Sequence, residues 1–312
     1  MEVLRGPQGT LFGKNATAGV INIVTEAPTN HLTGHVDATI AEMGEYRVKG
    51  SVSGPLADGL KGRVSGYYND VGGYIYNAAT GKMENGVKSW GVRGKLEWDA
   101  TSQLTLKLLA DISKTDADCC SRVPVSITTP AMATLLGGVT ASPTNRTVSN
   151  DDNSYYRTTT GVFSLQGDYD LGAATITSIT AFQRFTDSDQ FEPDQTYSNP
   201  NRYVGAFPYS QWNNNANHVA YSNWSQELRI GSNGSRDLTY VAGVFYNHID
   251  LNRYQSRRRL TCSAGASIGA ACSGTQVAQS AGMQGFYTGD NIAGFGQIDW
   301  RAVGKLHIIG SG

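Results

Sequence analysis

No run in the 312 residues approaches the roughly 20 consecutive apolar side chains that a membrane-spanning helix requires. That excludes a helical membrane protein but not a barrel, whose strands alternate and never look hydrophobic as a block. Charge of one sign is also lacking. The formal net charge is −1, so nothing points to nucleic acid as a partner. Met1 leads straight into Glu2 and Arg5, with neither the basic patch nor the apolar stretch of a secretory signal. The chain holds four cysteines and none in CxxC spacing, which argues against zinc. The five histidines suggest no metal site. His31 and His35 would share a face only on a helix, and their surroundings read as linker and strand. No Ser-His-Asp or paired-carboxylate motif stands out, so an enzyme is not expected. Gly9 to Lys14 has the wrong spacing for a phosphate-binding loop, and Asn15 stands where that loop needs a magnesium-binding hydroxyl.

What is abundant is glycine, at 37 residues, together with 16 tyrosines. This composition favours strands and turns over helices. From His31 onward the sequence becomes a series of alternating segments. Trp90, Val92, Leu96 and Trp98 alternate with Gly91, Arg93, Lys95 and Glu97; Leu104, Leu106, Leu108, Ala110 and Ile112 alternate with Thr105, Lys107 and Asp111. Val36 to Ile40, Phe163 to Tyr169 and Trp224 to Ile230 repeat the pattern. A strand puts the two sets on opposite faces, one apolar and one polar. Period alone does not choose between a soluble sandwich, apolar side inward, and a membrane barrel, apolar side toward lipid.

The connections do choose. Short turns are expected at 55–59, 99–103, 170–173, 232–237 and 302–305, with long irregular stretches at 71–88, 115–154, 188–221 and 252–290. Short turns on one side and long loops on the other are the outer-membrane barrel pattern, with about eleven strands of about ten residues each. Aromatic residues at strand ends, Trp90, Trp98, Tyr169, Trp224 and Trp300, fit interface girdles. Ile176, Ile179 and Phe182 break phase, which points to a bulge or a shifted register.

The first residues carry the most specific signal. EVLRGPQGTLFG followed by NATAGVINIVT reads as a short strand, a Gly-Pro turn and a second, β-branched strand. This stretch resembles the C-terminal end of the plug domain of TonB-dependent outer-membrane transporters. WSQELRI, YVAGVFY and AGFGQIDW, in that order, resemble barrel strands of the same family. The resemblance implies an all-β fold: a transmembrane antiparallel β-barrel of about 22 strands when complete, closed by an N-terminal plug. Here it would comprise the plug end (1–30) and the N-terminal half of the barrel (31–312), with a signal peptide, a TonB-contacting segment and most of the plug preceding residue 1. The implied function is uptake of a scarce ligand, such as a ferric siderophore, across the outer-membrane lipid. Coupling would run through the TonB-ExbB-ExbD complex, with no cofactor beyond the transported ligand. A passive porin, an adhesin or a degenerate barrel is the alternative; a soluble lectin or glycosidase sandwich is a third reading.

In that family the Arg of the LRGP motif, here Arg5, is implied to meet acidic residues of the inner barrel wall, and Glu227 is the matching candidate. The other possibility is that both are solvated at a water-filled boundary. Phe191, Tyr197, Tyr203, Tyr209 and Trp212, set among Asn, Gln and Pro, form the best ligand-contact candidate, since aromatic and amide groups can hold a bulky amphipathic ligand. They could equally pack on one another. Cys262 with Cys272 is the expected disulfide, while Cys119 and Cys120 could bridge each other or pair elsewhere.

Overall fold

The computed structural model describes residues 2–6, 18–127, 130–150, 154–193, 203, 212–234, 237–268, 270–303 and 306–312. Glu2–Arg5 (β1) and Gly19–Asn22 (β2) pair antiparallel, Glu2 opposite Asn22 and Arg5 opposite Gly19. An extended linker then leads into the main sheet. Its first strands are Thr33–Ala41 (β3), Glu45–Ala57 (β4) and Leu60–Val71 (β5). The tight turn between β3 and β4 needs two left-handed residues, Met43 at φ 61° and Gly44 at φ 70°. Ile75–Asn77 (β6) and Lys82–Glu84 (β7) lie in the next long connection. Val87–Asp99 (β8) and Leu104–Ala117 (β9) follow, then a short helix at Pro130–Leu135 and Thr147–Val148 (β10). The remaining strands are Tyr155–Asp170 (β11), Ala174–Phe191 (β12), Trp212–Ser232 (β13), Leu238–Cys262 (β14), Gln276–Val303 (β15) and Leu306–Ser311 (β16).

One antiparallel sheet of 11 strands holds β3-β4-β5-β8-β9-β11-β12-β13-β14-β15-β16 in that order, and it is not closed on itself. Each strand pairs with its neighbour in the sequence apart from the short loop strands, as an up-and-down meander requires. The sheet has no apolar interior. Its large hydrophobic side chains stand outward and bare, with Val36 77%, Val64 52% and Val244 56% exposed. In water that would be costly at about 25 cal/mol per Å²; against lipid it is the favourable arrangement. A sandwich would have buried this face, so the fold is a transmembrane-type β-barrel sheet. Among the described residues no helix is long and apolar enough to cross a membrane.

The larger buried aliphatic residues, Ile75, Leu136, Val139 and Val148, lie instead in the long connections. Ile75 is 3% and Val148 1% exposed, and Leu136 and Val139 are buried as well. Here β10, β6 and β7 form a three-stranded sheet. Asn77 donates to the carbonyl oxygen of Asn150 (3.0 Å), and Asn150 to Ser121 Oγ (3.1 Å). Two long loops are thereby tied into one small packed body at one end of the sheet.

Two expectations from the sequence are corrected. Most strands of the main sheet are longer than about ten residues, up to 28 in β15, with β3 (9) and β16 (6) the exceptions. Much of 188–221 and 252–290, expected to be irregular, is strand: β13 already begins at Trp212, and β14 runs on to Cys262. The extensions of β13 and β14 are rich in Asn and Arg, and that of β15 in Gly, Gln, Ser and Ala, as suits strands whose two faces both meet water beyond the membrane. No apolar period marks them. The break of phase at Ile176, Ile179 and Phe182 is not a bulge either, since β12 pairs with β11 and β13 without a register shift. Ile176 and Phe182 stand on the outward face and Ile179 on the inward one.

Candidate functional site

The inward face of the sheet is defined by what touches it. Lys95 on β8 donates through Nζ to the carbonyl oxygens of Thr25 (2.9 Å) and Glu26 (3.0 Å). Arg63 on β5 holds the Glu26 carboxylate. Thr29 donates to Ser53 Oγ from its main-chain N–H (2.9 Å) and its hydroxyl (2.8 Å). Lys61 reaches Asn30 Oδ1 at 3.3 Å and Glu97 at 3.1 Å. The linker that follows the β1–β2 hairpin is thus fastened along one wall of the sheet by polar side chains of β4, β5 and β8. A cavity of about 680 Å³ separates linker and wall, bordered by Glu26, Lys49, Arg63, Arg93, Lys95 and Asp111. Arg93 and Asp111, opposite each other on neighbouring strands of that wall, pair at 2.8 Å.

Unbroken pairing carries this inward parity from Lys95 through Leu109, Ser164, Ala181, Ser225 and Asn247 to Asn291. Odd-numbered residues of β13, β14 and β15 therefore face inward. Glu227 is one of them, and its carboxylate accepts from Arg229 Nη1 at 2.9 Å. Arg5 is the last residue of β1, in register with Gly19.

Toward the long-loop end the inward face changes character. Phe191, the last residue of β12, lies opposite Asn215. Asn215 accepts from Arg257 Nε at 2.9 Å, and Asn217 donates to Asp189 at 2.8 Å. Burial, and the neighbouring Asp189, hold the Asp187 carboxyl above its usual range. Asp187 stands about 13 residues beyond the turn-side end of β12, or about 33 Å up at the usual strand tilt, above an apolar band about 25 Å tall.

Of the other ligand-contact candidates, Tyr203 donates its main-chain N–H to Ala270 (2.8 Å). Its ring packs so tightly on Gly265 that a Cβ there would come within 2.3 Å of the Tyr203 Cβ. Trp212 opens β13 opposite Leu260. Tyr197 and Tyr209 lie outside the described residues. Cys262 is bonded to Cys272 and Cys119 to Cys120. Sequence reasoning missed the Lys95 and Arg63 clasp on the linker, whose partners are some 70 and 37 residues away. It also missed the arginines of β14. Among the described residues no three His, Cys, Asp or Glu groups are placed to hold a metal ion.

A sheet that is apolar outward and polar inward, with a linker fastened along its inward wall, is part of an outer-membrane-type β-barrel. No family model matches the chain. It is 42% identical over 87 residues to the pesticin receptor of Yersinia pestis, covering 28% of this chain and 13% of that protein. It is 39% identical over 127 residues to a probable TonB-dependent siderophore receptor of Acinetobacter baumannii, 36% of this chain and 16% of that protein. Among solved structures it resembles the ferric yersiniabactin uptake receptor of Yersinia pestis, with TM-score 0.64, 20% identity, and coverage of 96% of this chain and 49% of that one. The ferripyoverdine receptor of Pseudomonas aeruginosa gives TM-score 0.66 at 14% identity, covering 99% of this chain and 40% of that one. The chain is related to the TonB-dependent receptors of the Gram-negative outer membrane, and it spans half or less of the length of these relatives.

Proposed function

We propose that this chain forms part of an energy-coupled outer-membrane receptor that takes up a scarce ligand such as a ferric siderophore. The observation that carries the reading is the fastening of the linker that follows the β1–β2 hairpin to the inward wall of an outward-apolar sheet. A segment held by a few polar contacts in a lumen can be pulled by a periplasmic partner, and the TonB-ExbB-ExbD complex is the partner this reading requires. Ligand capture is assigned to the long-loop end, where Phe191 and Tyr203 supply aromatic surface; Tyr197, Tyr209 and Trp212 are assigned to it from the sequence. An Arg5–Glu227 contact would hold the plug at mid-wall, with Arg229 sharing the carboxylate. No cofactor is required.

The test is uptake of iron-55-labelled ferric siderophores by an iron-starved host that lacks its own receptors and expresses the receptor containing this chain. Uptake that disappears when TonB is deleted is the expected result. Uptake that persists without TonB would replace the proposal with a passive porin.

A further inference from the structure

We infer that the receptor's ligand is a polyanion, and that Arg253 and Arg257 on β14 are the residues that select it; this rests on the receptor reading above. Both arginines have odd numbers and so share the inward face with Asn247. They stand about 15 and 19 residues beyond the turn-side end of β14, well above the apolar band and thus at the mouth rather than in the lipid-flanked lumen.

Their cross-strand neighbours carry no negative charge. Arg253 lies between Val219 and Gly285, and Arg257 between Asn215 and Ala281. Gln255 separates them on the strand and Arg259 follows, so this stretch of one face of one strand carries three cations and no carboxylate. The inward carboxylates of Asp187 and Asp189 are two strands away, about 10 Å across the sheet, and Asp189 is already engaged by Asn217. Neither Arg253 nor Arg257 forms an ion pair with any described residue.

Geometry adds direction to charge. Asn215 takes the Nε–H of Arg257, which fixes the plane of the guanidinium and leaves its two Nη groups as a fork for a second, bidentate acceptor. Arg253 lies about 13 Å along the strand from Arg257, so two long side chains can close on one ligand from both ends. Small or neutral residues opposite them, Gly285 and Ala281, leave the space between open. Phe191 shares the row of Asn215 and Arg257, two strands from the guanidinium, and places an aromatic side chain on the same inward face. The chemistry that fits is an iron chelate bearing several negative oxygens, catecholate or carboxylate in type, rather than a neutral one.

The test uses the purified receptor containing this chain, in detergent micelles, and three probes: a ferric tris-catecholate with three negative charges, a neutral ferric tris-hydroxamate, and inorganic pyrophosphate. Binding is measured calorimetrically for the natural chain, for Arg253→Gln with Arg257→Gln, and for the corresponding Lys pair; circular dichroism checks that each variant keeps its strand content. The expected result is tight binding of the tris-catecholate, lost at least thirtyfold in the Gln pair and partly restored in the Lys pair. Equal binding of the neutral chelate, or an unchanged Gln pair, overturns the anion assignment and leaves the receptor reading standing. If only pyrophosphate binds, in an arginine-dependent way, the anion site stands and iron-chelate uptake falls. If none of the three binds, the anion site is overturned.

Discussion

Lys95 reaches the carbonyl oxygen of Glu26 at 3.0 Å and that of Thr25 at 2.9 Å, and so fixes the main chain where the plug-like hairpin gives way to the barrel. Glu26 answers with its side chain, on Arg63. The two contacts are unequal. The Glu26 side chain is 75% exposed, and an exposed ion pair contributes about 0–1 kcal/mol. A charged donor on main-chain oxygens contributes about 1.5–3 kcal/mol.

Lys95→Met should therefore free residues 19–30 several-fold more than Glu26→Gln does. Limited proteolysis followed by mass mapping measures this. Equal protection in the two variants would show that the Lys95 clasp does not anchor the linker.

Val64 and Ser65 are neighbours on β5 with opposite surroundings. Val64→Arg puts a charge on the lipid-facing band and should cost about 2–4 kcal/mol. Ser65→Arg points into the polar lumen and should be near neutral. Thermal unfolding in lipid bilayers reads the difference. A tolerated Val64→Arg would contradict the membrane orientation of the sheet.

Asp187 sets a pH dependence outside the membrane. Its folded pKa is raised by burial and by Asp189, so the folded state binds the proton more tightly than the unfolded chain. Stability then falls as pH rises from about 4 through the folded pKa. Asp187→Asn should flatten that slope and raise the melting temperature at about pH 7 relative to about pH 4. Parallel pH profiles for the two proteins would rule out this carboxyl as the source.

The Cys262–Cys272 bond closes the connection between β14 and β15 over a sequence separation of 10. Loop closure of that size contributes about 2–3 kcal/mol in the chain-entropy description. Reduction should expose 263–275 to protease while the rest of the strands stay protected. Hydrogen exchange spreading down β14 toward Leu238 on reduction would mean instead that the bond supports the whole hairpin.

Much of the fold was legible because the membrane imposes a strict period of two. Trp98, Leu96 and Val92 must face lipid, and their sequence neighbours must not. The hairpin of β1 and β2 was legible from its Gly-Pro turn and the β-branched run after it. The extensions of β13 to β15 were not, because above the lipid neither face has to be apolar and Asn215 or Arg257 reads like loop. The linker clasp was hidden for another reason: Lys95 looks like any lumen-facing lysine until the pairing places it over Thr25. Ile179 was visible in the sequence as a break of phase, but only the continuous pairing of β12 shows that it turns inward without a bulge.

The strands lengthen from 13 residues in β4 to 28 in β15, and the added length falls on the long-loop side. The rim formed by these strands is therefore a ramp, low at β4 and high at β14 and β15. The cations of the proposed site stand near its crest. A negatively charged solute diffusing inward comes within the roughly 8 Å Debye length of that crest before it reaches any other part of the mouth. Slope of the rim thus becomes a kinetic property: the tall side sets how fast an anion is caught, and dissolved salt slows that step before it weakens the final seat.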